Sequence, residues 1–128
     1  MLTSRACPSS FSVDENFFIV AGAGPKEGAV IAREREKAID VWRLATGTEA
    51  DGWFRLQTNY DHWNPTPTSD DRRAPGIAHM EAMGQAGLSA DAMWGVIETW
   101  PTWNEHTDYS LVAIPADGHY NSTVWMQP

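Results

Sequence analysis

The first half of the chain alternates short apolar runs with polar turns, a pattern typical of paired β-strands. Residues 17–23 and 28–33 form two such runs around a Gly-Pro turn, and residues 39–44 form a third. After a loop at 45–51, aromatic or apolar side chains alternate with polar ones from Gly52 to Asn59, which indicates a fourth strand with one buried face. The four runs together predict an antiparallel meander.

The second half of the chain predicts two helices and a closing hairpin. Apolar residues recur at helical spacing over 71–84 and 90–99, and Ser89 is a suitable N-terminal cap for the second helix. Two further strand-like runs, 109–114 and 120–126, flank an Ala-Asp-Gly turn and predict a hairpin. The expected fold class is therefore α+β, with an antiparallel sheet, two helices and a C-terminal hairpin.

Composition indicates a folded domain and argues against several classes of protein. The 128 residues are 42% hydrophobic and include seven Trp, which is sufficient for one core. Since no linker or repeat divides the sequence, we expect a single domain at 16–128 after an irregular segment at 1–15. A formal net charge of -8 argues against nucleic-acid binding, which needs a basic patch. No apolar run is long enough for a transmembrane segment, and the first residues lack the apolar region of a signal peptide.

The residues best suited to chemistry lie where the fourth predicted strand ends. Asn59 stands at that end, and Arg72 follows Asp70 and Asp71 at the start of the next predicted helix. A fixed amide can donate to a developing oxyanion, and an arginine held by carboxylates can orient a nucleophile or a carbonyl. In the structural alternative, Asn59 bonds its own backbone in a turn and the charged residues form a solvated helix start. The residues alone leave both interpretations open.

A longer set of motifs around these residues resembles the family of N-acylethanolamine-hydrolysing acid amidase and acid ceramidase. The similarity runs from about Asn16 to about Tyr109, and His62, where acid ceramidase has an arginine, favours the amidase. The segments that carry the resemblance are 17–22, 27–35, Thr58-Asn59-Tyr60-Asp61-His62-Trp63, Pro65, Pro67, Asp70-Asp71-Arg72-Arg73 and Gly84-Gln85-Ala86-Gly87-Leu88-Ser89.

The resemblance implies an N-terminal-nucleophile amidase of the cholylglycine-hydrolase type, in which self-cleavage frees a cysteine whose α-amine acts as base. Asn59 then corresponds to the oxyanion-hole asparagine of the family, and Arg72 to the arginine near the catalytic cysteine. The chain would be the C-terminal part of the β-subunit and a part of the four-layer αββα sandwich. The resemblance implies no cofactor, and the expected partners are the missing N-terminal half of the β-subunit and the α-subunit.

Two functions of different classes follow as expectations. In the first, the chain belongs to a lysosomal lipid amide hydrolase that cleaves N-acylethanolamines through an acyl-cysteine intermediate, with the nucleophile supplied elsewhere and ceramide as the alternative substrate. We would expect a signal peptide in a lysosomal enzyme, and the first residues do not resemble one. In the second, the chain is a truncated, non-catalytic paralogue that acts as an interaction fragment.

The remaining candidate residues carry weaker signals. Cys7 is the only cysteine, so an internal disulfide is excluded. Too few residues separate it from Asn59 for it to be the family's nucleophile. Asn121 begins a glycosylation sequon, which is a short and weak pattern. We predict no metal site, because the four histidines share no ligand spacing; they are His62, His79, His106 and His119.

Three tryptophans surround the second predicted helix, at positions 94, 100 and 103. Core packing is the expected role of these side chains. The alternative is peripheral contact with a lipid surface or an acyl chain, since Trp suits a boundary between apolar and wet surroundings.

Overall fold

A three-stranded antiparallel sheet forms the first part of the fold. In the computed structural model, which describes residues 16–44 and 52–126, its strands are β1 (Asn16–Ala21), β2 (Gly28–Arg33) and β3 (Ala38–Arg43), in that order across the sheet. These strands confirm the first three predicted runs. The predicted loop at 45–51 and the irregular N-terminal segment, which includes Cys7, lie outside the described residues.

The predicted fourth strand, Gly52 to Asn59, is wrong, because this segment does not pair with the sheet. At the end of β3, the side chain of Arg55 rather than a backbone group donates to the carbonyl of Arg43, with an Nε–O distance of 2.8 Å. Leu56 packs so close to Gly76 that a Cβ added at Gly76 would lie 2.6 Å from its Cδ1 atom. Since the segment contacts the strand on one side and a helix on the other, its side chains are half-buried on both faces.

The two helices are α1 (Arg73–Met83) and α2 (Ala90–Ile97), close to the predicted positions but shorter at their ends. The carboxylate of Asp71 accepts the first two backbone N–H groups of α1, both at 3.0 Å, and therefore caps this helix. Ser89 accepts a backbone N–H in the first turn of α2 at 3.1 Å, which confirms the predicted cap. In the part of the chain that the structure describes, neither helix has the length and hydropathy needed to cross a membrane.

A hairpin of β4 (Tyr109–Ile114) and β5 (His119–Val124) completes the described chain and confirms the prediction for this region. It packs against α2, which in turn packs against α1. Buried apolar side chains come from the central strand of the sheet, from both helices and from the hairpin. Among the described residues they are Ala29, Val30, Ala32, Met80, Val96 and Val112.

His62 attaches the loop that follows Asn59 to the sheet. Its ring stacks on Trp42, with centroids 4.1 Å apart and planes 13° from parallel, and its Nε2 lies 3.0 Å from Oδ2 of Asp40. Asp40 and Trp42 are two residues apart on β3 and therefore share one face of the sheet. The guanidinium of Arg55 also lies over the Trp42 ring, 4.8 Å from its centroid. One face of β3 thus contacts the chain on both sides of Asn59, through Arg55 before it and His62 after it.

This attachment predicts that His62→Ala destabilises the chain by roughly 1–2 kcal/mol, the sum of a ring stack and a partly exposed hydrogen bond to Asp40. His62→Phe keeps the ring contact and loses the hydrogen bond to Asp40, so its cost is expected to be less than about 1 kcal/mol. Urea unfolding followed by tryptophan fluorescence measures both changes. The matched control is His106→Ala, because the His106 side chain is 87% exposed. Equal effects of His62→Ala and His106→Ala would contradict the attachment.

Candidate active site

The side-chain amide of Asn59 is hydrogen-bonded at both ends. Nη2 of Arg72 donates to its Oδ1 at 2.7 Å, and its own Nδ2 donates to Oδ2 of Asp70 at 2.9 Å. The structure therefore brings together the two residues predicted for the site and adds a carboxylate that the sequence suggested only as a helix-start residue. In the turn interpretation Asn59 would bond its own backbone, whereas its amide here contacts two other side chains.

Asp70 is the shared acceptor of this group. The hydroxyl of Tyr60 donates to Oδ2 of Asp70 at 3.0 Å, and Nη2 of Arg72 lies 3.2 Å from Oδ1. Hydrogen bonds from Asn59 and Tyr60, and then the charge of Arg72, hold the pKa of Asp70 below its ordinary value of 3.8. The hydrogen bond to Asp70 in turn raises the pKa of Tyr60 above 10.0. Asp70 therefore stays an acceptor, and Tyr60 a donor, in mildly acidic and neutral solution.

The two adjacent arginines have different roles. The guanidinium of Arg73 donates to three backbone carbonyls of the loop: those of Asn64 at 2.6 Å, Tyr60 at 2.8 Å and Asp61 at 2.7 Å. Arg73 thus closes the loop, while Arg72 contacts the Asn59 amide. The motif contains two arginines in a row, and this difference identifies Arg72 as the one that belongs to the site.

Further side-chain bonds hold the loop that carries Asn59. Nε2 of Gln57 donates to the carbonyls of Thr58 at 2.6 Å and of Tyr60 at 2.9 Å. Asp61, only 2% exposed, accepts from the Asn64 side chain at 3.1 Å. Since a loop has no strand ladder to satisfy its backbone carbonyls, the Gln57 amide does so for two of them, and the Asp61–Asn64 bond joins two side chains of the loop. Asn59 is therefore presented on a loop of defined shape.

Two concave surfaces border this loop. A polar cleft of about 540 Å³ is lined on one side by Asp70 and Arg72 and on the other by polar side chains such as Asn104 and Asp108. A mostly apolar pocket of about 340 Å³ lies beside Arg73 and is lined by aromatic and aliphatic side chains. Both volumes lie in the range of small-molecule sites, roughly 300–1,000 Å³. The Asn59 amide is thus associated with the polar cleft, through its two bonding partners.

Of the other predicted candidates, His106 lines the polar cleft with Asp70 and Arg72. Asn121 is exposed on β5. Trp103 packs edge-to-face against Trp125 with centroids 5.5 Å apart, whereas Trp100 is 67% exposed. Across 16–44 and 52–126, no three His, Cys, Asp or Glu side chains are grouped closely enough to hold a metal ion.

Sequence reasoning did not identify Tyr60 as part of the site and gave Asp70 only a helix-start role. No spacing rule would have found them, because both depend on how the loop folds back on itself between positions 60 and 70. The adjacency of Tyr60 to Asn59 in the quoted motif was the one available signal.

Comparison with known proteins gives several similar sequences, although no family model matches the chain. It is 41% identical over 112 residues to the N-acylethanolamine-hydrolyzing acid amidase of Rattus norvegicus, covering 88% of this chain and 30% of that protein. It is 46% identical over 100 residues to the enzyme of the same name from Cavia porcellus, covering 78% and 28%. With the acid ceramidase of Homo sapiens it shares 32% identity over 106 residues, covering 83% and 26%.

A solved structure is similar as well. The Caenorhabditis elegans N-acylethanolamine-hydrolyzing acid amidase ortholog matches with a TM-score of 0.65 and 33% sequence identity, over 82% of this chain and 45% of that one. The chain spans less than a third of the length of these three curated relatives. The similarity therefore covers most of this chain but a minor part of each related sequence.

The different roles of the two arginines predict different effects of one conservative substitution. Arg73→Lys keeps the charge but loses the planar fork that reaches three carbonyls, so it is expected to lower the free energy of unfolding by roughly 2 kcal/mol. Arg72→Lys is the matched control, with an expected loss of less than about 1 kcal/mol, since its partners are partly exposed. Urea unfolding of the two variants decides the point. Equal destabilisation would show that Arg73 does not hold the loop.

The cap of α1 predicts a defined pH dependence of stability. The backbone N–H of Ala74, assisted by Thr66 and the backbone of Arg73, lowers the pKa of Asp71 below its ordinary value of 3.8. A carboxylate with a lowered folded-state pKa stabilises the fold above its ordinary pKa, and this contribution is lost as the pH falls through the folded-state pKa. Asp71→Asn keeps an acceptor that cannot ionise.

The free energy of unfolding of the original chain minus that of Asp71→Asn should therefore be constant from neutral pH down to about pH 5. Below that pH the difference should decrease, because only the original chain loses the stabilisation of an ionised cap. Urea unfolding across this pH series measures the difference. A difference that is the same at every pH would contradict a lowered pKa.

Proposed function

We propose, since this chain belongs to the family of N-acylethanolamine-hydrolyzing acid amidase and acid ceramidase, that it provides the oxyanion-binding part of a lipid amide hydrolase. The observation that carries the proposal is the hydrogen bond between Asn59 and Arg72, a residue that lines a polar cleft. Residues 16–128 would be the C-terminal part of a β-subunit. Its antiparallel strands and two helices would be part of an αββα sandwich of the N-terminal-nucleophile type.

The proposed reaction is hydrolysis of an N-acylethanolamine through an acyl-cysteine. A cysteine thiolate from another segment attacks the amide carbon, and the carbonyl oxygen takes the electron pair of the π bond and becomes an oxyanion. Asn59 can stabilise that oxygen because its Nδ2 carries two hydrogens and Asp70 accepts one of them. The α-amine of that cysteine, which took the proton of the thiol, gives it to the amide nitrogen; the oxyanion re-forms the C=O bond, the C–N bond breaks and ethanolamine leaves. Water then releases the fatty acid from the thioester. Ceramide is the alternative substrate.

Arg72 would orient the end of the chain that carries the cysteine. Among the described residues, its contacts to Asn59 and Asp70 use Nη2, so the guanidinium keeps other donors for a group brought by another segment. Since Asp70 remains charged in mild acid, this arrangement would persist in an acidic compartment such as the lysosome. That is the location we propose from the family.

The partner we propose is the remainder of the β-subunit, with the α-subunit. The register of the sheet places Phe18, Val20 and Val41 on one face, and these apolar side chains are 40–50% exposed. A contiguous apolar face of this kind is typical of a surface that another layer covers. We also propose peripheral contact of the assembled enzyme with a lipid surface, which the exposed Trp100 side chain supports.

The role of Asn59 predicts a loss of turnover in the assembled enzyme. Asn59→Ala should lower kcat roughly 100- to 1,000-fold, because a transition-state donor is lost, with little change in KM. Release of ethanolamine from N-palmitoylethanolamine at acid pH is the measurement, with ceramide as a parallel substrate. Asn121→Ala is the matched control, since the same side chain is removed at an exposed position of β5.

Full activity of the Asn59→Ala enzyme would rule out the oxyanion role. Absence of hydrolysis in the assembled original protein would favour the non-catalytic interaction fragment instead.

A further inference from the structure

An asparagine serves as an oxyanion donor only when its N–H end, and not its C=O end, faces the substrate. The two ends have almost the same shape, so packing alone cannot select between them; hydrogen-bond partners of opposite type can. Asn59 is exposed, and apolar packing therefore does little to fix its amide. Its orientation depends on the charged and polar side chains around it.

The partners of Asn59 are of opposite type. Oδ1 faces a guanidinium, which can only donate, and Nδ2 faces a carboxylate, which can only accept. Rotating the amide by 180° would place an oxygen against Asp70 and an NH₂ group against Arg72. Both hydrogen bonds would be replaced by repulsive contacts, so one orientation is selected.

The carboxylate that makes this selection is itself held on two sides. The Tyr60 hydroxyl and Nδ2 of Asn59 share Oδ2 of Asp70, and Nη2 of Arg72 faces Oδ1. Turning the carboxylate would break the bonds to Tyr60 and Asn59 together. Tyr60 is thus one step further from the substrate, and it acts on Asn59 through Asp70.

The loop itself is held by a different set of bonds. Arg73 and Gln57 satisfy its backbone carbonyls, and neither contact involves the Asp70 carboxylate. Loss of the carboxylate should therefore leave the path of the loop intact while it frees the amide to rotate. This separation distinguishes a positioning role from a structural one.

We propose that Asp70, clamped by Tyr60, is a positioning residue that fixes the Asn59 amide with its second N–H directed toward the substrate carbonyl. This inference rests on the proposed function and deepens it. Asp70 does not touch the reacting atoms, and it determines the fraction of molecules in which Asn59 presents a donor.

The test is a double-mutant cycle in the assembled enzyme, read as kcat and KM separately. Asp70→Ala should lower kcat roughly 10- to 100-fold with little change in KM, and Tyr60→Phe should lower it in the same direction but less. In the Asn59→Ala background, each substitution should lower kcat by less than about threefold, because the residue through which it acts is gone. Asp71→Ala is the matched control: it removes the neighbouring carboxylate, which caps α1. Losses that multiply in the double variants would overturn the proposal.

A second measurement decides the point without activity. Side-chain amide proton exchange in the 128-residue chain, with the Asn59 signals assigned by their loss in Asn59→Ala, should show one protected and one rapidly exchanging Nδ2 proton. Asp70→Ala and Tyr60→Phe should reduce that difference. Unchanged protection in both variants would refute the positioning role.

The two measurements also separate this inference from the function on which it rests. If Asn59→Ala leaves kcat unchanged, the oxyanion role fails, and the exchange result still shows whether Asp70 fixes the amide. If Asn59→Ala lowers kcat while the double variants multiply, the oxyanion role stands and the positioning role fails.

Discussion

The backbone carbonyls of a loop need donors, and in this chain the fork of Arg73 provides them for Tyr60, Asp61 and Asn64 at once. The turn after Asn59 has no strand partner, and without that fork each of the three carbonyls would lose a donor, although Gln57 would still donate to Tyr60 and the backbone N–H of Asn64 to Asp61. Because the loop is closed in this way, Asn59 returns toward Asp70 and Arg72 although these residues lie 11 and 13 positions further along the chain. Arg73 makes three of the bonds on which the arrangement of the candidate active site depends, and Gln57 and His62 support the same loop.

The charges of Asp70 and Arg72 then fix the orientation of the Asn59 amide. A carboxylate on one side of the Asn59 amide and a guanidinium on the other specify which end is oxygen and which is nitrogen. The lowered pKa of Asp70 keeps this difference in mild acid. The chain as a whole has a formal net charge of -8, and the positive charge of Arg72 is paired with the carboxylate of Asp70. This ion pair holds the guanidinium beside Asn59.

The fold around the site has an uncovered side. One face of the sheet meets the loop through Trp42 and His62, whereas the opposite face carries Phe18, Val20 and Val41 with much of their surface exposed. The chain spans less than a third of the curated relatives described above. The exposed apolar face is the surface that we propose the remainder of the enzyme covers.

The elements whose signals are local can be predicted from the sequence. Apolar runs and turn residues predicted β1, β2, β3 and the hairpin, and the cap at Ser89 predicted the start of α2, because these features depend on residues a few positions apart. The long motif from Thr58 to Arg73 also identified Asn59 and Arg72 as candidates through resemblance to a family. Spacing alone left both of their interpretations open.

The remaining features depend on contacts between residues that are distant in the sequence. The alternation from Gly52 to Asn59 predicted a strand, but strand pairing needs a partner edge, and here the side chain of Arg55 bonds the end of β3 while Leu56 packs on α1. Arg72 and Arg73 likewise differ in role because the closed loop brings different groups within hydrogen-bond distance of each. The same is true of the roles of Tyr60 and Asp70. A pattern along the chain records which side chains are available, and three-dimensional contact decides which of them meet.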